Sequence, residues 1–514
     1  MRVRSRSARL LQNGAAESAL EPAQTLMESR LSLQLGQAAV KGVAWLAAQS
    51  LATRFIVLTA QLLLAWLLSA EDFGKIGLAY TIPAFTALVV NPGIDDVLIQ
   101  RQRHIRQWTT PATWMSLALG VAGAAGMVAI APVWAELYGE PQLLGLVDVL
   151  AAGVPLTALA VVPSAVLRAA LRFRLLAAIG AAEILTMQAL TILFAWLGWG
   201  AYSFVIPVPI VAAARVGWLW AAARPKVALS PQRRRWRFLI GNGSAVFANR
   251  LLTTAVGQGD YAILGMLAPA AVVGAYYFAF VLAAQSLRLA AGNLYAVMFP
   301  LLSRMRGDAE RQREATLKAS AILAAVVMPL CFLQAALARP VLHVLFGQKW
   351  DSAIPLMQLL SVGLPFDALA WLSLAFLQAK GQFRRVLRYS CLLSPWFFVL
   401  VLAGAWWHSA VGVALGVALY YFIAGPLHVY LALGDCGVTW QDVAALHLIP
   451  AALSVASIML AELAALGVQL LLAGDWANIV VIGLGTGLAY LPLTRWAMPD
   501  VWREVTSPLR GLRA

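Results

Sequence analysis

Apolar runs of 20 residues and more follow one another along most of the chain, from residue 42 to residue 496, broken by short polar segments. A helix of about 20 residues rises about 30 Å, the thickness of a bilayer's hydrocarbon core. No water reaches a free amide in that layer, so a spanning segment of this kind closes its own backbone hydrogen bonds as a helix. Composition agrees. Of the 514 residues, 61% are hydrophobic and 12% are charged, about half the charged share of a soluble domain. The sequence therefore predicts an all-α polytopic membrane protein of about 14 transmembrane helices. We place them at 42–68, 74–98, 109–131, 143–166, 177–198, 202–222, 239–266, 271–300, 317–338, 353–378, 389–407, 410–432, 445–470 and 477–496.

The basic residues orient these spans. With a cytoplasmic N-terminus, RQRHIR (101–106), LRAALRFR (167–174), RPKVALSPQRRRWR (224–237), SRMRGDAERQREATLK (303–318) and KGQFRRVLR (380–388) all fall on the cytoplasmic side. Of the 38 Lys and Arg residues, Lys75, Arg339 and Lys349 fall in loops of the opposite side, and Arg54, Arg215, Arg250 and Arg288 fall inside spans. The remainder are cytoplasmic, a strong positive-inside bias. Both termini are expected in the cytoplasm. The net charge of +15 then reports topology and not a nucleic-acid partner. The first 36 residues, with Arg2, Arg4, Arg6 and Arg9, lack the apolar core and cleavage site of a signal peptide and read as a disordered cytoplasmic arm. The loops of the opposite side are short, the longest being 338–353, too short for a folded domain there.

The chain also repeats itself. DVLAAGVPLTALAVVPSAVLRAALRFR (148–174) aligns with QLLSVGLPFDALAWLSLAFLQAKGQFR (358–384) at an offset of 210, sharing Gly-x-Pro and Phe-Arg landmarks. LYG (137–139) meets LFG (345–347), and FGKIGLAY (73–80) echoes VGAYYFAF (273–280) at an offset of 200. Six spans separate the copies, so both point the same way, as in transporters built from parallel repeats. The expected organisation is a cytoplasmic arm (1–36), an N-terminal bundle (37–222), a basic linker (223–238), a C-terminal bundle (239–432), two added helices (433–496) and a cytoplasmic tail (497–514).

Few residues are left to carry chemistry. Phosphate-cradling and zinc-protease motifs are absent from the sequence, the five histidines are scattered, and Cys331, Cys391 and Cys436 have no metal-ligand spacing. GLGTGLAY (483–490) lies within a span and reads as helix packing. The sequence thus predicts no catalytic residue, no metal and no cofactor. What remains is charge inside the membrane, where an arginine costs roughly 2.5–3.5 kcal/mol at a helix centre. Arg54 sits in LATRFIVLTAQLLLAWLL (51–68), Arg250 in the seventh span and Arg288 in the eighth. Arg54 and Arg250 occupy corresponding stretches of the repeat. Facing a common hydrated cavity, the three would form a cationic site suited to phosphate, because the guanidinium fork donates two hydrogen bonds at once. The alternative is pairing with Asp95, Asp96, Glu183, Asp260 or Asp367. Arg215, nearer a span end, reads as snorkelling to the interface. Asp260, in GQGDYAILG, is a candidate for ion coupling or for a salt bridge. Asp95 and Asp96 read as a solvated pair or as a gate bridged to Arg101.

Four stretches, in order, resemble the polysaccharide transporter branch of the multidrug/oligosaccharidyl-lipid/polysaccharide exporter superfamily, the Wzx-type flippases. They are LSAEDFGKIGLAY (68–80), NPGIDDVLIQR (91–101), GDYAILGMLAPAAVVGAYYFAF (259–280) and VLFGQKWDSAIPLMQLLSVG (344–363). The resemblance runs over about residues 40–440. It implies a multi-pass protein of the bacterial inner membrane that moves undecaprenyl-pyrophosphate-linked oligosaccharide between leaflets by alternating access, for lipopolysaccharide or exopolysaccharide synthesis. It implies an ion gradient as driving force, a cationic central cavity, and work beside a polysaccharide polymerase and export machinery. The chain departs from the family where GQGDY replaces the common RNLDN and where Asp95-Asp96 replaces small residues. Rival readings are a lipid II flippase or a drug/cation exporter of the same superfamily, or a membrane-embedded polysaccharide polymerase or ligase. Intramembrane arginines oppose the drug/cation reading, and short outer loops oppose the enzyme.

Overall fold

The computed structural model describes residues 53–90, 92–100, 105–170, 172–236, 244–305, 307–469 and 474–511. The expected N-terminal arm, Arg101 and the Asp96 side chain lie outside the described residues. Two compact units are present, Met1–Ile56 and Val57–Ala514, the first described only at 53–56. Among the described residues there is no strand. In chain order the helices are α1 (Thr53–Leu67), α2 (Ala70–Val90), α3 (Ile94–Gln100), α4 (Ile105–Leu137), α5 (Gln142–Leu159), α6 (Val161–Ala169), α7 (Phe173–Trp196), α8 (Tyr202–Val205), α9 (Pro207–Ala223), α10 (Ser244–Leu267), α11 (Ala270–Arg304), α12 (Ala309–Phe346), α13 (Ile354–Gly363), α14 (Pro365–Ala379), α15 (Phe383–Leu433), α16 (Trp440–Gln469), α17 (Asp475–Ala497) and α18 (Pro499–Gly511).

Eleven described segments are long and apolar enough to cross a membrane. One of them contains α15, which holds two of the spans expected from the sequence. Its helical path breaks at His408 (φ −151°) and Ser409 (φ 49°), and the chain doubles back. A Cβ on Gly412 would overlap the carbonyl of Gly404, Gly416 stands against Leu400, and the Phe397 and Tyr420 rings meet edge to face at 5.2 Å. The expected spans 42–68 and 239–266 correspond to α1 and to the more polar α10.

The start of α2 corrects the sequence reading. Ser69 and Asp72 cap the helix reciprocally, the Ser69 amide donating to Asp72 Oδ2 at 3.0 Å and the Asp72 amide to Ser69 Oγ at 3.1 Å. Such a box satisfies amides that a helix N-terminus leaves unpaired. It starts the helix at Ala70, earlier than the expected 74. Lys75, counted with the loops although it falls at the start of the expected span, lies on the second turn. It is buried, paired with Glu71 at 2.5 Å and bonded to Gln142 at 3.1 Å.

The two halves meet where α2 crosses α11. A Cβ on Gly74 would overlap the Ala270 carbonyl, and one on Gly274 would overlap the Ala70 carbonyl. Exchanging each residue for the one 200 positions away turns one contact into the other, so the crossing is pseudo-twofold. Phe73 packs beside it, edge-on to Phe204 (5.6 Å), Phe278 (5.8 Å) and Trp350 (5.4 Å). The offset of 210 recurs in a second contact. Gly153 of α5 stands against Val208 of α9, and Gly363 of α13 stands against Ala418 of α15.

The same end of the molecule closes over the last turn of α1. Lys349 Nζ donates to the carbonyls of Ala65 (2.9 Å), Trp66 (2.9 Å) and Leu68 (2.8 Å), and Trp350 Nε1 donates to Ala65 at 3.2 Å. These are carbonyls that a helix C-terminus leaves unpaired, at the end of the dipole that favours a cation. Burial pushes the Lys349 ammonium below its ordinary pKa, and the charge of Asp72 works against that shift. At the corresponding turn of α10, Gly265 makes room for the Tyr138 ring, whose Cε1 would lie 2.9 Å from a Cβ.

The glycine crossing has no slack for a methyl group. Gly274→Ala is expected to destabilise the protein by about 2–3 kcal/mol, read as a lower thermal midpoint in detergent. Gly217→Ala, which places a methyl in open space, serves as the control. Equal midpoints for the two variants would refute the close contact.

Candidate functional site

The three arginines singled out in the sequence stand on three helices. Arg54 is half-buried on the first turn of α1, in the unit that ends at Ile56, and Arg250 is exposed on α10. Both interact with other groups of the protein. Arg288 is exposed on α11, within electrostatic reach of Tyr261 and Tyr277.

Asp260 occupies a different environment. It is 2% exposed on α10. The Tyr276 hydroxyl donates to its Oδ2 at 2.6 Å, and the Tyr261 amide donates to its Oδ1 at 3.0 Å. The rings of Tyr261, Tyr276 and Phe280 pack around it with centroids 5.5–6.2 Å apart. Asp367 accepts from Trp371 Nε1 at 2.8 Å.

Asp95 and Glu183 each face an arginine outside the three singled out. Asp95 of α3 accepts from Arg168 Nη1 of α6 at 3.2 Å; Arg101, its expected partner, lies outside the described residues. Glu183 of α7 accepts from Arg215 Nη1 of α9 at 3.0 Å. Arg215 thus ends on a carboxylate and does not simply snorkel. Sequence spacing carried no signal for either pair, whose members lie 73 and 32 residues apart.

Both pairs border cavities of the N-terminal half. One, of about 420 Å³, lies between α2, α3, α5, α6 and α9 and is lined by Asp95, Arg168 and Arg215 together with Tyr80 and Ser164. The other, of about 250 Å³, is lined by Glu183, Gln188 and Arg215. They share Thr157, Val208 and Arg215. The paired side chains remain between 20% and 45% exposed, so each bridge contributes only about 0–1 kcal/mol as a tie between helices. Among the described residues no group of His, Cys, Asp and Glu side chains is placed to hold a metal ion.

Residues 63–355 match the family described as polysaccharide biosynthesis protein. The chain is 27% identical over 304 residues to the succinoglycan biosynthesis transport protein ExoT of Rhizobium meliloti (strain 1021). That match covers 58% of this chain and 61% of the relative, so the chain spans about three fifths of that protein's length. It is 22% identical over 412 residues to the lipopolysaccharide biosynthesis protein WzxC of Escherichia coli (strain K12), covering 76% of this chain and 80% of the relative. Among solved structures, the lipid II flippase MurJ in an inward closed conformation superposes with a TM-score of 0.73 at 13% identity, over 88% of this chain and 98% of that one. At that identity the likeness is one of fold.

The Asp260 cluster yields a stability test. Asp260→Ala leaves the buried Tyr276 hydroxyl without its acceptor, at an expected cost of about 1–3 kcal/mol. Adding Tyr276→Phe removes the stranded group and should recover part of the loss. A double variant no more stable than Asp260→Ala, measured by thermal denaturation in detergent, would count against the bond.

Proposed function

We infer the task of this chain from the family to which it belongs, the polysaccharide biosynthesis proteins, whose pattern covers residues 63–355: it carries oligosaccharide units of a surface polysaccharide across the membrane. The cargo is undecaprenyl-pyrophosphate-linked oligosaccharide, moved from the cytoplasmic to the periplasmic leaflet of a bacterial inner membrane for lipopolysaccharide or exopolysaccharide assembly. The family match is the observation that carries this reading. The relatives named for succinoglycan transport and lipopolysaccharide biosynthesis support it.

The mechanism is alternating access. Positive-inside orientation turns the basic runs, and with them the Asp95–Arg168 end of the larger cavity, toward the cytoplasm. The end where Lys349 seals α1 and where Gly74 meets Gly274 then faces the periplasm. Arg54, Arg250 and Arg288 are the candidate ligands of the pyrophosphate, since a guanidinium fork donates two hydrogen bonds at once to a phosphate. Asp260, buried where α10 packs on α11, is the acidic group on which a transported ion would act.

Deletion of the gene is expected to leave lipid-linked oligosaccharide inside the cell and to remove the surface polysaccharide. Complementation with Arg54→Gln, Arg250→Gln or Arg288→Gln, at membrane levels equal to wild type, should restore less than a tenth of the export. Unchanged surface polysaccharide and no trapped intermediate in the deletion strain would refute the proposed task. Full complementation by all three variants would refute the arginine site alone.

A further inference from the structure

We propose that residues 224–236, in the basic linker that the sequence places between the two bundles, form a strap that binds the headgroups of anionic phospholipids, with Leu229 entering the lipid beside them. The leaflet is the cytoplasmic one, by the orientation of the basic runs. The inference is independent of the cargo, since it concerns the outer surface and not the cavities.

The strap is fixed before any lipid arrives. Arg224 ends α9 in left-handed backbone (φ 42°), and Gln232 repeats that conformation (φ 45°), so the chain bends at both ends of 225–231. From there it is pinned along the first turns of α4. Arg235 Nη1 donates to the Gln107 carbonyl at 2.9 Å. The Thr109 hydroxyl lies 2.9 Å from the Lys226 carbonyl and 3.0 Å from that of Arg106. The Ala228 amide donates to Thr110 Oγ1 at 3.0 Å, and Trp114 Nε1 donates to the Ala228 carbonyl at 2.9 Å. The Arg235 guanidinium stands 5.8 Å from the centre of the Trp108 ring, and Trp236 packs against the small core shared by α3, α4 and α6. These contacts fall where the expected span 109–131 begins. Trp108 and Trp114 stand at the level of an interfacial aromatic belt.

The strap lies on the lipid side of α4. Ala118, Val121, Ala125 and Val128 are exposed and apolar, at steps of three and four that make one stripe of the helix. A stripe of that kind on a spanning helix faces lipid. Trp114, one turn before Ala118, belongs to it, and its ring carries Ala228. Leu229 follows and is 90% exposed. At this level a leucine gains by entering the boundary between headgroups and acyl chains. Around it Arg224, Lys226, Arg233 and Arg234 are exposed, as is Arg106 on the first turn of α4. Neither 224–236 nor 105–118 contains an acidic residue. The bonds that pin the strap use Arg235, two threonines, a tryptophan and backbone groups, so the charges of Arg233 and Arg234 have no part in holding it. A basic segment held in place in advance loses little freedom on binding, which favours affinity. Each exposed charge adds attraction to an anionic surface.

The test uses the full-length chain in detergent and two probes with the same acyl chains, phosphatidylglycerol and phosphatidylcholine, with bound lipid read by native mass spectrometry. Wild type is expected to retain phosphatidylglycerol in preference. Arg233→Gln combined with Arg234→Gln should weaken phosphatidylglycerol binding by about fivefold for each charge removed and leave phosphatidylcholine unchanged. Leu229→Ser should lower the retention of both lipids, because the contact it removes is with the acyl region. Arg384→Gln with Arg388→Gln removes the same charge from another basic run, on exposed side chains of α15, and should bind as wild type does. The inference is overturned if wild type does not distinguish the two lipids, or if the Arg233 and Arg234 variant retains phosphatidylglycerol as wild type does. It is also overturned if the control variant loses as much, because the preference would then follow total charge and not the strap. Wild-type retention by Leu229→Ser would overturn the place given to that leucine.

Discussion

Two helix backbones touch where α2 crosses α11, and the rest of the molecule is arranged around that contact. Gly74 and Gly274 bring each helix against a carbonyl of the other. In lipid the tails are as apolar as leucine, so helices gain little from hiding apolar side chains from their surroundings. Close packing of small residues supplies the association instead. The aromatic side chains beside the crossing, Phe73, Phe278 and Trp350, fill the volume that opens where the helices diverge. Trp350 sits there because the loop that carries it, with Lys349, is tied to the end of α1. One close contact thus joins three helices and the loop across them.

Away from that crossing the polar groups follow a different rule. Arg168 and Arg215 meet carboxylates, yet neither bridge is sealed from solvent. A fully buried ion pair bears a large desolvation penalty. A half-exposed one keeps part of its hydration and can trade partners. Asp260 is the opposite case, 2% exposed and held by a tyrosine hydroxyl and a backbone amide. The same residue types therefore serve two ends: exchangeable polarity around a cavity, and fixed polarity inside a helix contact.

Much of this was legible in the sequence because it is periodic or local. Apolar length gave the helical class and the family resemblance held. The spacing of 200 between FGKIGLAY and VGAYYFAF reappears as the reciprocal glycine contact. The break of α15 at His408–Ser409 falls between two expected spans. The late start expected for α2 had a local cause: the Ser69–Asp72 box starts the helix at Ala70, a signal present in SAED but outweighed by hydropathy. The bridges of the cavity were not legible. Glu183 and Arg215 come together only because α7 packs on α9, and Asp95 reaches Arg168 only through the packing of α3 on α6. A chain order carries the charges and not the angles between helices.

The reciprocity of the glycine crossing also bears on how such a chain can change over generations. If the halves arose from one ancestral copy, that copy met its twin through this surface before they were joined. A methyl group gained on either half would strike the carbonyl of the other, and no shift in the second half relieves it, because the obstacle is backbone. The two copies were therefore free to diverge nearly everywhere, cavity included, while this position kept the same residue in both. A duplicated gene can specialise its halves for different parts of one cargo and still keep them locked at a shared pivot.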